Sequence, residues 1–287
     1  MNAAPAFADY LELTKPRLTA LVLVTTAAGF WLAWQGDLSN WKTFVCLITG
    51  TALVAGGASA LNQWSERVYD ALMRRTQARP LPSNRLRPEQ ARRFGWVLIT
   101  AGVLGLALSV NLLSAALAAL SAASYVLMYT PLKRLSVLCT LIGAIPGAIP
   151  PMIGWAGARG SITIEAWALF LILFVWQLPH FLALAVLYQE DYARAGFRTL
   201  SVIDQTGEMV ARQMIVNMSA LLCVSLLPAV FALAKPIYFF GAFLLGLCFA
   251  AVIVSALSNL NERARYVLRA SVIYLACVLI LMMVDKA

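Results

Sequence analysis

Asn62, Glu66 and Asp70 recur at four-residue intervals, and Arg74, Arg75 and Arg79 follow them closely. On an α-helix each step of four turns about 40° past a full circle, so the three oxygen-bearing side chains share one face over about 12 Å. Oxygen ligands suit Mg²⁺, a hard ion that reaches a diphosphate through one or two carboxylates plus water. Guanidinium groups fork onto phosphate oxygens. Metal-assisted handling of a diphosphate is therefore one chemistry for this stretch. An interfacial helix end is the other, with Glu66 and Asp70 paired locally to Arg67 and Arg74, and spacing alone leaves both open. Pro80 and Pro82 then force an extended turn, as a loop closing over a site needs.

A second constellation runs from Trp176 to Leu200, W-Q-L-P-H-F-L-A-L-A-V-L-Y-Q-E-D-Y-A-R-A-G-F-R-T-L. His180 is the only histidine in the chain and lies inside an apolar run. Ionisable groups there are costly and are functional candidates by default. Gln177, His180, Leu184, Tyr188 and Asp191 recur at helical spacing, so one stripe joins a buried histidine and glutamine to a carboxylate at the rim. Pro179 frees a carbonyl and predicts a kink, tolerated where the region is packed or lines a cavity. The plainer alternatives are an interhelical hydrogen bond for His180 and a solvated loop charge for Asp191. Two further stretches stand out. Y-T-P-L-K-R, Tyr129 to Arg134, offers Lys133 and Arg134 either to a phosphate or merely as topology anchors. G-A-I-P-G-A-I-P-P-M-I-G-W, Gly143 to Trp155, holds three glycines and three prolines. It predicts a broken helix or a close approach of backbone to a large ligand, with plain helix packing as the alternative.

The elements that must position these residues are membrane spans. Of the 287 residues, 61% are hydrophobic and only 12% charged, against about 25% charged in soluble domains. The chain reads as an all-α, polytopic membrane protein forming a single domain over residues 1–287. Nine stretches approach the roughly 20 apolar residues a spanning helix needs, near 18–35, 43–63, 94–111, 113–130, 137–156, 166–188, 213–233, 237–258 and 267–284. The third and fourth form a tight hairpin near Asn111, and the last three look like plain scaffold. Spans two and six echo each other, since each runs into a loop of mixed acids and arginines.

Placing the N-terminus in the cytoplasm puts 18 of the 22 basic residues on that side and leaves Lys42, Arg159, Lys235 and Lys286 on the other. This asymmetry gives an N-in, C-out orientation with an odd number of spans. It also puts both long loops, and all the informative polar chemistry, on the cytoplasmic face. The net charge of +9 thus reports topology, and no nucleic-acid partner is expected. Five isolated cysteines suggest neither a zinc site nor disulfides. The N-terminus has neither a secretory signal nor a transit peptide, which favours a bacterial inner membrane.

Taken together, N-x-x-x-E-x-x-x-D with R-x-x-x-R-P-L-P, Y-T-P-L-K-R, the Gly/Pro run and W-Q-L-P-H-F…E-D-Y-x-R-A-G resemble the protoheme IX farnesyltransferase (heme O synthase) family of intramembrane prenyltransferases. The resemblance extends from K-P-R at Lys15 to at least Leu200. It implies nine helices around a central cavity with a diphosphate site at the cytoplasmic mouth. It implies transfer of farnesyl from farnesyl diphosphate to a vinyl group of heme b, with addition of water and loss of diphosphate. By matching motif, Asn62, Glu66, Asp70 and Asp191 are the expected Mg²⁺ and catalytic residues. Arg67, Arg74, Arg75, Arg79, Lys133, Arg134 and Arg194 are the expected diphosphate-binding set. His180, Gln177 and Trp176 are expected on the heme side, where His180 would ligate iron or position water. Heme b is a substrate, the bilayer is the solvent, and a heme-handling or terminal-oxidase assembly partner is implied. Two positions depart from the superfamily pattern. Glu66 stands where many members have Asp, and Ala195 stands four residues after Asp191 where many have a second Asp, leaving Asp204 and Glu208 as the nearby acidic pair.

Competing readings make different demands. A prenyltransferase for a quinone-precursor ring would not need His180 in its W-Q-L-P-H-F setting. A transporter also uses broken helices and midplane polar groups, but has no evident need for acids and arginines massed on one face. A heme-carrying cytochrome is disfavoured, because one histidine cannot give the bis-histidine ligation common in membrane b-type cytochromes.

Overall fold

A computed structural model describes residues 6–36 and 41–287. Residues 1–5, on which the reading of the N-terminus partly rests, lie outside the described residues. Apolar runs must satisfy their own backbone in lipid, and the chain does so with helices. In order these are α1 (Phe7–Leu13), α2 (Pro16–Ala33), α3 (Trp41–Asp70), α4 (Pro88–Ser109) and α5 (Leu112–Ala123). A π-helical stretch, Ser124–Tyr129, leads from α5 into the single turn α6 (Thr130–Leu132). Then come α7 (Cys139–Ala148), α8 (Pro150–Arg159), α9 (Ile164–Leu187), and the short α10 (Gln189–Arg194) and α11 (Leu200–Ile203). The chain finishes with α12 (Glu208–Val224), α13 (Leu227–Val230), α14 (Pro236–Ala256) and α15 (Leu260–Val284).

Among the described residues, eight stretches are long and apolar enough to cross a membrane. The last of these, the 49 residues Pro236–Val284, contains both α14 and α15. Ala234, just before α14, bridges antiparallel to Lys286, just after α15, so this stretch folds back on itself as a hairpin. The nine apolar segments read from the sequence map onto these eight. The expected hairpin near Asn111 is present: Asn111 caps α5 by accepting from the Ser114 backbone N–H at 2.8 Å.

The four basic residues assigned to the outer side gather at the end of the bundle opposite Lys15 and Asp70. Lys42 lies at the start of α3. Arg159 donates to the Ala33 carbonyl at 2.8 Å, and Lys286 donates to the carbonyls of Trp31 and Trp34. Lys235 is tied through its backbone N–H to the Asp285 carbonyl at 2.9 Å.

Two structural devices set up the site. First, α3 has 30 residues, about 45 Å at 1.5 Å per residue, against a hydrocarbon core of about 30 Å. It is thus longer than a span needs, and it carries Asn62, Glu66 and Asp70 in its last turns in unbroken helical register. Second, the Gly/Pro run is broken as expected, between α7 and α8. Its glycines lie close against other parts of the bundle. A Cβ on Gly154 would stand 1.9 Å from the Thr26 carbonyl oxygen, and one on Gly29 would stand 2.1 Å from that of Pro151. These small residues let α2 and α8 pack backbone to backbone, so the packing alternative holds there. Pro179 lies within the unbroken span of α9, which packs on α7, α12 and α15 at the centre of the largest core.

Candidate active site

The helical register of α3 does what its spacing predicted: Asn62, Glu66 and Asp70 are all buried. Neither of the local pairs, Glu66 with Arg67 or Asp70 with Arg74, is formed. Each acid is met by a cation from elsewhere. Lys133 Nζ lies 2.6 Å from Glu66 Oε1. Arg79 Nη1 bonds both oxygens of Asp70, at 2.9 and 2.8 Å. The Thr76 hydroxyl donates to the Asp70 carbonyl at 2.8 Å, tightening the turn that returns Arg79 to the helix end.

Asn62 brings in a residue to which sequence reasoning gave no role. Lys15 Nζ donates to Asn62 Oδ1 at 2.7 Å, and Asn62 Nδ2 donates to Thr130 Oγ1 at 3.0 Å. Lys15 precedes Pro16, the first residue of α2, and adopts the left-handed conformation with φ 49° and ψ 64°. That backbone costs a non-glycine residue roughly 1–2 kcal/mol, and such strain persists where surrounding contacts over-determine it. Burial, and then the nearby charge of Arg79, lower the Lys15 pKa to about 7. The available signal was the K-P-R triplet, in which a lysine before proline cannot simply continue a helix. Burial also works against charge on Lys133, but the Glu66 carboxylate outweighs it and holds that amine well above its usual range.

The second loop docks onto the first. Asp191 is buried and accepts from the backbone N–H of Arg74 at 3.0 Å and of Arg75 at 3.5 Å, while Arg194 Nη1 lies 3.2 Å from Asp191 Oδ1. The Arg198 N–H donates to the Lys133 carbonyl at 2.8 Å, which joins this loop to Y-T-P-L-K-R. Phe197, buried beside Met73 and Ala195, forms an aromatic floor with Tyr69 and Tyr192. Lys133 and Arg134 lie over the rings of Tyr129 and Tyr69 at 4.5 Å each. Arg75 lies over Tyr188 and Tyr192. Arg74 is exposed. Arg67 alone of the expected diphosphate set turns away: it donates to the Trp64 carbonyl and packs on the Trp64 ring.

Asp204 does not supply a second acidic ligand. It accepts from the backbone N–H groups of Gly207 at 3.1 Å and Val210 at 2.8 Å, and from the Thr206 hydroxyl. Burial raises its pKa, but those donors outweigh it and hold the carboxyl below its usual range. Asp204 thus caps α12, and Glu208 is exposed.

The donor set fits Mg²⁺ of one particular kind. Among the described residues no three Asp, Glu, His or Cys side chains converge as a closed cage. Mg²⁺ is commonly held by one or two carboxylates with phosphate oxygens and water completing its shell. The carboxylates here are hard oxygen donors, each beside a cation matched to phosphate, which fits a metal that arrives with its diphosphate.

The residues expected on the heme side lie on α9, which ends at Leu187; Asp191 lies beyond that break on the short α10. His180 Nδ1 is 2.7 Å from Ser271 Oγ on α15, and the Trp176 ring stacks on the imidazole at 5.0 Å. Trp176 Nε1 donates to the Ser271 carbonyl at 2.7 Å. Gln177 Nε2 donates to the carbonyls of Ala144 and Leu173. Gly147 lacks the Cβ that would meet Gln177 Oε1 at 2.0 Å. The last helix is therefore more than scaffold, because Ser271 holds two of these side chains.

Comparison with known proteins identifies the family. The UbiA prenyltransferase family matches residues 22–282. The protoheme IX farnesyltransferase of Solibacter usitatus is 47% identical over 97% of this chain and 98% of its own. That of Koribacter versatilis is 40% identical over 99% and 95%. Among solved structures, a digeranylgeranylglyceryl phosphate synthase shares the fold with a TM-score of 0.80 at 17% identity, covering 97% of each chain. A UbiA homologue from Archaeoglobus fulgidus, bound to DMAPP and Mg²⁺, has a TM-score of 0.70 at 16% identity, covering 96% of this chain and 99% of its own. The resemblance read from the motifs is thus borne out: the chain belongs to the UbiA prenyltransferase family, alongside relatives that are protoheme IX farnesyltransferases.

Proposed function

We propose that the protein transfers the farnesyl group of farnesyl diphosphate to a vinyl carbon of heme b, with addition of water, giving heme O and diphosphate. The observation that carries this is the gathering of Glu66, Asp70 and Asp191 with Lys15, Lys133 and Arg79 at one end of an apolar bundle whose nearly full-length relatives are protoheme IX farnesyltransferases.

Ionising an allylic diphosphate builds negative charge on the leaving group, and fixed cations stabilise that charge. Lys133 and Arg79 are held at this end of the bundle by their pairs with Glu66 and Asp70, so both cations stand in place before a diphosphate arrives. Lys15, Arg74, Arg75, Arg134 and Arg194 surround the same mouth, and Arg67 takes no part. Asn62, Glu66, Asp70 and Asp191 are the residues that would hold Mg²⁺, which would neutralise diphosphate oxygens as a Lewis acid. The aromatic floor and the bundle exclude bulk water, which would otherwise quench the allylic cation. Heme selectivity belongs to Trp176, Gln177 and His180.

The basic residues support nine passes, N-in and C-out, with the active face toward the cytoplasm of a bacterial inner membrane. The test is direct. Purified protein in detergent, given heme b, farnesyl diphosphate and Mg²⁺, should yield a farnesylated, hydroxylated heme by mass spectrometry. No product where a control enzyme works overturns the assignment.

A further inference from the structure

We propose that Ser271 is a positioning residue: it fixes His180 as the Nδ1–H tautomer, and the Nε2 lone pair so left free takes the iron of the heme substrate as axial ligand. This rests on the heme reading above and deepens it.

The tautomer follows from counting protons. A serine hydroxyl has one proton to donate and lone pairs to accept with. Ser271 Oγ lies 2.7 Å from the Leu268 carbonyl oxygen, which can only accept. The hydroxyl proton is therefore committed to Leu268. At its other contact, 2.7 Å from His180 Nδ1, Ser271 Oγ must accept, so Nδ1 carries the imidazole proton. Nε2 of the neutral ring then holds a lone pair. Iron-binding histidines show this pattern: the ring nitrogen away from the metal donates to an acceptor, which sets tautomer and orientation.

The surroundings fix the ring as well as the proton. Ser271 is fully buried. Its carbonyl takes the Trp176 indole N–H, and the indole stacks on the imidazole. The lipid side of α9 is marked by the exposed residues Ile164, Trp167 and Leu171. At 100° per residue, Trp176, His180, Leu184 and Leu187 centre about half a turn from that side. All four are half-buried. The inner face of α9 thus stays partly accessible where His180 stands, and Nε2 has no protein partner among the described residues. The chain has no second histidine, so it cannot supply a pair of imidazoles to the iron.

Ser271→Ala separates this role from structure, because it removes the hydroxyl and leaves the backbone carbonyl that holds Trp176. Purified wild type, Ser271→Ala, Ser271→Thr and His180→Ala are titrated with ferric heme b and followed by Soret absorbance and electron paramagnetic resonance. Wild type should show a histidine-ligated spectrum. Ser271→Ala should weaken binding by about 10- to 100-fold, the usual effect of losing an outer-shell partner, and shift the spectrum. Ser271→Thr should restore both, and His180→Ala should abolish the histidine signature. A Ser271→Ala protein with wild-type affinity and spectrum overturns the proposal even if wild type makes farnesylated heme. So does a His180→Ala protein whose spectrum matches wild type. If wild type neither binds heme nor forms product, the functional reading falls with it.

Discussion

Lys133 and Glu66 meet at 2.6 Å although 67 residues separate them in sequence. Their side chains are only 16% and 6% exposed, so this is a buried pair, not a surface one. Removing one member of such a pair strands a buried charge, at a cost of about 3–5 kcal/mol. Lys133→Met should therefore lower the unfolding midpoint in detergent clearly. Lys133→Met combined with Glu66→Gln should recover much of that loss, yet stay inactive, because the diphosphate has lost a cation and the metal a carboxylate. Thermal unfolding and product formation, measured on the same preparations, check both halves.

Asp70 bonds Arg79 through both oxygens and lies far along the chain from His180. Asp70→Ala should reduce turnover by at least about 10²-fold, the scale expected when one electrostatic element of a preorganised site is lost. Heme b affinity should remain at the wild-type value. Activity within a few-fold of wild type would remove Asp70 from the metal set.

Gly154 and Gly29 let α2 and α8 touch through their backbones. Gly154→Ala would set a Cβ 1.9 Å from the Thr26 carbonyl, backbone against backbone, so relief requires the helices to part. Overpacking of this kind costs about 1–3 kcal/mol. The expected outcome is a lower unfolding midpoint, with Gly105→Ala, where a Cβ meets nothing within 4 Å, as the neutral control.

Asp204 gives a pH-dependent case. Its folded pKa lies below the usual value, so the ionised form is the one the fold favours. Its contribution is present above the unfolded carboxyl pKa of about 3.9 and is lost as pH falls through the lower folded value. Asp204→Ala should cost about 1 kcal/mol as a lost helix cap, evenly from neutral pH down to about 5, with the gap from wild type closing at more acid pH. A gap that widened on acidification would contradict the cap.

Much of this site was legible because it depends on helical periodicity. The four-residue spacing of Asn62, Glu66 and Asp70 fixes a shared face whatever the helix packs against, and the distribution of arginines separates the two ends of the bundle. Which cation serves which acid was not legible. Spacing left local partners open for Glu66 and Asp70, but both acids are buried and Lys133 and Arg79 meet them from separate turns. Lys15 was hidden because it stands alone before α2 and its partner lies 47 residues on. Ser271 was hidden because a single serine in an apolar helix carries no periodic signal. The acidic pair at Asp204 and Glu208 misled for the opposite reason: a cap and a ligand use the same residue types, and only the hydrogen-bond donors around Asp204 tell them apart.

The contact between Lys15 and Asn62, together with that between Arg198 and Lys133, has a consequence for biosynthesis. The site draws on the residue before α2 and on the loop after α9, so its parts leave the ribosome far apart in time. Loop closure over such separations is slow and must precede any reward from the contacts. The acids of α3 thus leave the ribosome before Lys133 and Asp191 exist to join them, and the candidate site can assemble only after the loop that follows α9 has been made.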